Sequence, residues 1–113
     1  MQDCIFCKII SKEAESNTVY EDDDMVVFSD INPKAPVHLL LVPKKHISDL
    51  NTAAEVDAPL LGKLMVRAAA IAKEKGIDQS GYKIVVNVGD DGGQIVQHLH
   101  LHLVGGEPIK ITV

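Results

Sequence analysis

Apolar and polar positions alternate most regularly near the end of the chain, in His98-Leu99-His100-Leu101-His102-Leu103-Val104. Successive side chains of a strand point to opposite faces. The spacing therefore predicts a strand over His98–Val104 that sends Leu99, Leu101 and Leu103 into a core and lines His98, His100 and His102 along the other face. Shorter β-prone runs at Thr18–Glu21 and Met25–Ser29 flank Glu21-Asp22-Asp23-Asp24, which reads as a solvated hairpin turn. Val37–Val42, bounded by Pro36 and Pro43, and Tyr82–Val88 read as two further strands. On the former, His38 falls on one face with Leu40 and Val42, where a lone histidine usually has a structural role.

Helical spacing appears twice. Ile5 and Ile9, like Phe6 and Ile10, are four apart and predict a short helix over Cys4–Ser11. Thr52-Ala53-Ala54-Glu55 has the form of a capping box, and a longer helix is expected between Asp57 and Lys75, ending at Gly76. Its apolar positions (Leu60, Leu61, Leu64, Met65, Ala68, Ala69, Ile71, Ala72) spread beyond the roughly 100° stripe that one packing face needs. One side is expected to pack on the sheet and the other to meet a second copy of the chain in a two-fold dimer.

Composition narrows the class. With 113 residues and 46% hydrophobic content the chain fits a single domain over 1–113. A net charge of −5 argues against extended nucleic acid as a partner, which needs a basic face. No apolar stretch approaches a membrane-spanning length and no secretory leader is evident, so a soluble, cytoplasmic protein is expected.

Imidazole is a nucleophile, proton carrier and metal ligand near neutral pH, so the histidine row is the chief chemical signal. Mutual repulsion would keep at least the central ring, His100, neutral and able to attack. Cys4 and Cys7 lie one helical turn apart. By themselves they leave a shared metal ion, a redox pair and plain burial open. Asp30 follows Phe28 at a strand end where a carboxylate can face a pocket. Gly89-Asp90-Asp91-Gly92-Gly93-Gln94 suits either a turn or a phosphate cradle built from backbone N–H groups. It is not a P-loop, lacking the Gly-Lys-Ser/Thr ending.

Taken together, His98-Leu99-His100-Leu101-His102-Leu103-Val104 resembles the signature of the histidine triad family. The similarity extends over nearly the whole chain, through Ile5-Phe6-Cys7-Lys8-Ile9-Ile10, Asp30-Ile31-Asn32-Pro33-Lys34-Ala35-Pro36, His38, Val42-Pro43-Lys44-Lys45-His46, Gly92-Gly93-Gln94 and Leu103-Val104-Gly105-Gly106. The closing glycines and the length resemble the nucleoside phosphoramidase branch.

The resemblance implies an α+β fold: a five-stranded antiparallel sheet with a short N-terminal helix and one longer helix, usually in a homodimer. It implies that His100 attacks the α-phosphorus of a purine nucleotide ester or amide and that His102 contacts the phosphate and leaving group, with His38 in the catalytic set. Asp30 would take the ribose hydroxyls, and Ile5, Phe6, Ile9, Phe28 and Ile31 would enclose the base. Asn87, Gly93, Gln94 and Ile95 would lie along the nucleotide and its phosphate. Some triad proteins with an N-terminal Cys-x-x-Cys bind structural zinc through residues matching Cys4, Cys7, His46 and His98; no cofactor is needed for the chemistry itself.

Two positions depart from the family pattern. Ile95 stands where a hydroxyl residue is common, and Gln97 stands where Tyr is common. Ile95 has no side-chain hydrogen bond to offer a leaving group. Competing functions are a hydrolase or transferase acting on dinucleoside polyphosphates or nucleotide sugars, and a zinc-stabilised nucleotide-binding module without turnover.

Overall fold

The computed structural model describes residues 4–110; residues 1–3 and 111–113 of the expected domain lie outside that range. The strands are β1 (Thr18–Glu21), β2 (Met25–Ser29), β3 (Val37–Pro43), β4 (Tyr82–Val85) and β5 (Leu101–Gly105), and the α-helices are α1 (Ile5–Ile10) and α2 (Ala58–Glu74). The strands form one antiparallel sheet in the order β1-β2-β3-β5-β4. The expected α+β architecture, with five strands, a short first helix and a longer second one, is the one observed.

The sheet is covered on both faces. From β2, Met25 and Val27 join Leu39, Leu41, Leu99, Leu101 and Leu103 against Leu64, Ala68, Ile71 and Ala72 of α2. Val26 and Phe28 point the other way and join Leu40 and Val42 against Phe6 and Ile9 of α1. A strand with apolar residues at consecutive positions must be buried on two faces, since alternation alone would leave half of them in water. The second face is only partly filled, because α1 has six residues. The functional cavity occupies the remainder.

Local chemistry sets the element ends. Asp22 Oδ1 accepts the N–H groups of Asp24 at 2.8 Å and Met25 at 3.0 Å, closing the β1–β2 turn as an Asx turn. The expected capping box at Thr52 and Glu55 is displaced. Thr52 is instead the far member of a reciprocal box with Asp49, and Asp57 Oδ2 accepts the N–H of Ala54 at 2.9 Å. Two 3₁₀ turns, Leu50–Thr52 and Glu55–Asp57, thus precede α2, each organised by an aspartate that reaches backbone N–H groups.

Two strands are shorter than their patterns predict. The β4 ladder stops at Val85, which pairs with His102. The ladder of β5 begins at Leu101, which pairs with Leu41. Residues 86–100 leave the sheet between them, and Leu99 N–H bonds to the Ile47 carbonyl at 2.6 Å instead of to a strand neighbour. Alternation persists through this segment, with His98 and His100 facing α1 and Leu99 facing α2, but the splay opens the sheet beside the histidines.

Candidate functional site

A cavity of about 690 Å³ lies between α1, the ends of β2 and β5, and the loop after β4. Its floor is apolar, from Phe6, Ile9, Phe28 and Leu40, and polar groups converge from Asp30, Asn87, His100 and His102. An apolar slot with a few polar groups suits a flat, partly apolar ligand with a charged end. Of the residues expected at a nucleotide, Ile5, Phe6, Ile9, Phe28, Asp30, Ile31, Asn87, Gly93, Ile95, His100 and His102 all line it. Glu15, Ser16, Asn17, Ser29, Leu40 and Val96 line it as well and were missed. Leu40 was accessible in principle, since it shares the His38 face of β3. The 15–17 segment carries no periodicity that would reveal its position.

Hydrogen-bond partners assign the histidine tautomers. His100 Nδ1 lies 2.7 Å from the His98 carbonyl oxygen, which only accepts, so Nδ1 carries the hydrogen and Nε2 keeps its lone pair. The Phe6 ring stands edge-on to His100, with centroids 5.0 Å apart, and holds its orientation. The Lys34 N–H donates to His38 Nδ1 at 3.0 Å, so the hydrogen of His38 resides on Nε2. That Nε2–H donates to His102 Nδ1 at 2.9 Å, with Asp30 Oδ2 3.3 Å from the same nitrogen. His102 Nδ1 is therefore the acceptor, and its own hydrogen sits on Nε2. The site thus contains one imidazole with a free lone pair and one with a free N–H.

His38 accordingly does more than fill a strand face. Asp30, His38 and His102 also lie close enough to share a cation. The Lys34 N–H opposes that use, because it holds the hydrogen on the very nitrogen a metal would need. Burial keeps all of these rings neutral. It lowers the proton affinity of His38 and of His100. His102 is pushed down to about 4, first by burial and then by the neighbouring His100 and His38.

A second cluster adjoins the first through His98. Cys4 Sγ is 3.4 Å from His98 Nδ1, Cys7 Sγ is 3.6 Å from the same atom, and Cys7 Sγ is 3.1 Å from His46 Nδ1. Zinc–sulfur and zinc–nitrogen bonds of about 2.3 and 2.0 Å on a tetrahedron separate such ligand atoms by about 3.5 Å, so the donor set fits one Zn²⁺. The outer shell fits too. His98 Nε2–H donates to the Pro43 carbonyl at 2.8 Å, which leaves Nδ1 as a lone pair facing the two thiols. Burial and the adjacent Cys4 raise the pKa of the Cys7 thiol. A cation there would displace the thiol protons.

Three N–H groups of the glycine loop are engaged within it. Gln94 N–H bonds to the Gly89 carbonyl at 3.0 Å, Gly93 N–H to the Asp90 carbonyl at 3.0 Å, and Gly89 N–H to Gln94 Oε1 at 3.0 Å. These amides close the loop on itself. Gln94 Nε2 donates to the Ser48 and Val96 carbonyls at 2.8 and 3.1 Å. Its side chain is therefore spent inside the protein and does not line the cavity, contrary to expectation. A Cβ on Gly92 would overlap the Val88 carbonyl oxygen, which explains glycine at that position. Asn87 Nδ2 donates to the Gly92 carbonyl at 2.7 Å and fixes the loop beside the histidines.

Comparison with known proteins gives consistent matches. A family model described as "Scavenger mRNA decapping enzyme C-term binding" matches residues 3–109. Protein HitA of Neisseria gonorrhoeae is 53% identical over 105 residues, covering 93% of this chain and 97% of that protein. A 14 kDa zinc-binding protein of Brassica juncea is 48% identical over 110 residues, covering 96% of each. Among solved structures, a HIT family hydrolase from Legionella pneumophila Philadelphia 1 superposes with a TM-score of 0.94 at 43% identity, covering 96% of this chain and 97% of that one. A histidine triad nucleotide-binding protein from Candida albicans superposes at 0.81 with 30% identity, covering 98% and 87%.

Proposed function

Because this chain belongs to the histidine triad family, we propose that it hydrolyses nucleoside 5′-phosphoramidates, with a purine nucleotide such as adenosine 5′-monophosphoramidate in the cavity. The observation that carries this reading is the complementary pair of free groups, a lone pair on His100 Nε2 and an N–H on His102 Nε2. The base would lie among Ile5, Phe6, Ile9, Phe28 and Ile31, the ribose against Asp30, and the α-phosphate beside His100, His102, Asn87 and Gly93.

In the first step the His100 Nε2 lone pair forms a bond to phosphorus while the P–N bond breaks, its electron pair remaining on the departing nitrogen. Hydrogen-bonded by His102 Nε2–H, that nitrogen takes a proton from a water molecule and leaves as an amine. N-phosphorylation makes the His100 ring cationic, and the hydroxide so formed attacks phosphorus while the P–Nε2 bond returns its electrons to His100. One water is thereby divided between the products, its proton on the amine and its hydroxyl on the nucleotide. Across both steps His38 holds His102 in its working tautomer.

Cys4, Cys7, His46 and His98 would hold a structural Zn²⁺, whose four protein ligands leave no open position for substrate. The chain's own residues connect this centre to the cavity. α1 carries Cys7 and the cavity residue Phe6, with Cys4 at its N-cap, and His98 supplies both the fourth ligand and the carbonyl that sets His100. Reduced thiols suit the cytoplasm. Among the described residues no helix is long and apolar enough to cross a membrane.

A homodimer is supported by β4 at the sheet edge and by the flank of α2 that carries Met65, which is 49% exposed. Pairing across β4 would satisfy the open edge and cover that flank.

The test is incubation with adenosine 5′-monophosphoramidate, following AMP by chromatography and a His100 adduct of one adenylyl group by mass spectrometry under alkaline quench. Turnover of a dinucleoside polyphosphate in preference to the phosphoramidate, or AMP binding with no turnover of either, would overturn the reading.

A further inference from the structure

Cys4 and Cys7 are the only cysteines of the chain, and their sulfur atoms lie within 4.8 Å of each other. Both residues and His46 are partly exposed, whereas His98 is fully buried, so the cluster meets solvent through its cysteines and His46 and not through His98. Cys4 is the N-cap of α1, with extended backbone. A shift that brings its sulfur to about 2.05 Å from that of Cys7, the length of a disulfide bond, therefore takes place outside the helical residues.

The same two residues anchor a wall of the cavity. Of the six residues of α1 only Phe6 and Ile9 are buried, which is little packing to hold a helix in place. Cys7 Sγ faces His46, just after β3, at 3.1 Å and His98, just before β5, at 3.6 Å, so the ligand set joins α1 to the sheet at two places. Ile5, Phe6 and Ile9 of α1 line the cavity, and Phe6 stands edge-on to both His98 and His100.

We propose that Cys4 and Cys7 form an oxidation site, at which a peroxide converts two thiolates into a disulfide, dismantles the four-ligand set and loosens α1 at the nucleotide cavity. This inference rests on the zinc reading above, in which both sulfurs are held as thiolates, the form that reacts with peroxide. One thiolate attacks a peroxide oxygen; an S–O bond forms, the O–O bond breaks and hydroxide leaves. The second thiolate attacks the sulfenic sulfur; the S–S bond forms and the S–O bond breaks to release a second hydroxide. Two electrons pass from the sulfurs to the peroxide and two negative charges leave as hydroxide. Only two imidazoles then remain of the four ligands that a closed site requires. Thiols of a reducing compartment reverse the step by exchange.

The experiment treats zinc-loaded wild-type protein with millimolar hydrogen peroxide. Zinc release is followed with a chromophoric chelator, the cysteine products by peptide mass mapping, the α1 amides by hydrogen exchange and the Kd for AMP by calorimetry. Release of the zinc is expected to accompany a Cys4–Cys7 disulfide, with exchange of the α1 amides faster and AMP binding weaker, each by at least about fivefold. Dithiothreitol with added zinc is expected to restore both. Retention of zinc under peroxide, or sulfinic acids formed without a Cys4–Cys7 bond, would overturn this inference alone. Disulfide formation with unchanged α1 exchange and AMP affinity would overturn the link to the cavity. Wild-type protein that binds no zinc before oxidation would overturn the zinc reading, and this inference with it.

Discussion

His38 Nε2 lies 2.9 Å from His102 Nδ1, although the two residues are 64 positions apart. They meet because β3 and β5 are neighbours with Leu40 opposite His102 and His38 opposite Val104, which makes the two histidines diagonal neighbours on one face. This contact, together with Asp30 Oδ2 and the Lys34 N–H, determines which nitrogen of His102 faces the cavity.

That environment predicts an unusual titration. The groups facing His102 are His38, His100 and Asp30, and its pKa is pushed down to about 4 from an ordinary value of 6.5. A histidine depressed in the fold stabilises the protein fully above its unfolded pKa. The contribution is lost as pH falls from about 6.5 through the folded value. An NMR titration of the His102 ring is expected to show a midpoint near 4, and stability is expected to fall over that interval. A midpoint close to 6.5 would contradict the buried, hydrogen-bonded arrangement.

Replacement of the nucleophile separates chemistry from binding. His100→Gly is expected to lower kcat for adenosine phosphoramidate by at least about 10³-fold, while the Kd for AMP, read by calorimetry, changes by less than about tenfold. Near-normal turnover by the folded variant would remove His100 from the nucleophile role.

Metal removal acts on a different property. Purified protein is expected to contain about one zinc per chain. Cys4→Ser with Cys7→Ser, or treatment with a strong chelator, is expected to lower the thermal midpoint by about 10 °C, equivalent to about 2 kcal/mol. The check is metal analysis alongside calorimetry. Zinc well below one per chain in protein purified without chelators would leave the thiols a structural or redox pair.

Gln94 anchors the loop through both ends of its amide. Gln94→Leu removes three hydrogen bonds from a buried position and leaves backbone groups unpartnered. A destabilisation of about 1–3 kcal/mol is expected, measurable by urea denaturation, with zinc content unchanged. A neutral result would show that the loop holds its shape by its backbone alone.

Assembly has its own probe. Met65→Glu places a charge on the exposed flank of α2, and sedimentation at micromolar concentration is expected to show a dimer for the wild type and a shift toward monomer for the variant. A monomeric wild type with full activity would show that the breadth of the apolar pattern on α2 serves core packing and the protein surface alone.

Local order was legible in the chain. The period of two in His98–Val104 separated three imidazoles from three leucines, and the short β-prone run at Met25–Ser29 located β2. The period of the longer helix located α2 within a residue of its observed ends. These features depend on neighbours a few positions away, and side-chain direction follows directly from backbone geometry. The pairings that make a site out of them do not. Cys4 meets His98 across 94 positions, and Gln94 reaches Ser48 across 46. The early end of β4 and the inward turn of Gln94 likewise arise where the loop satisfies its own amides, in competition with the sheet. Strand order and register decide which polar groups face each other. Each buried donor then takes the acceptor that the fold brings within reach, because leaving it unpaired would cost more than the local pattern gains.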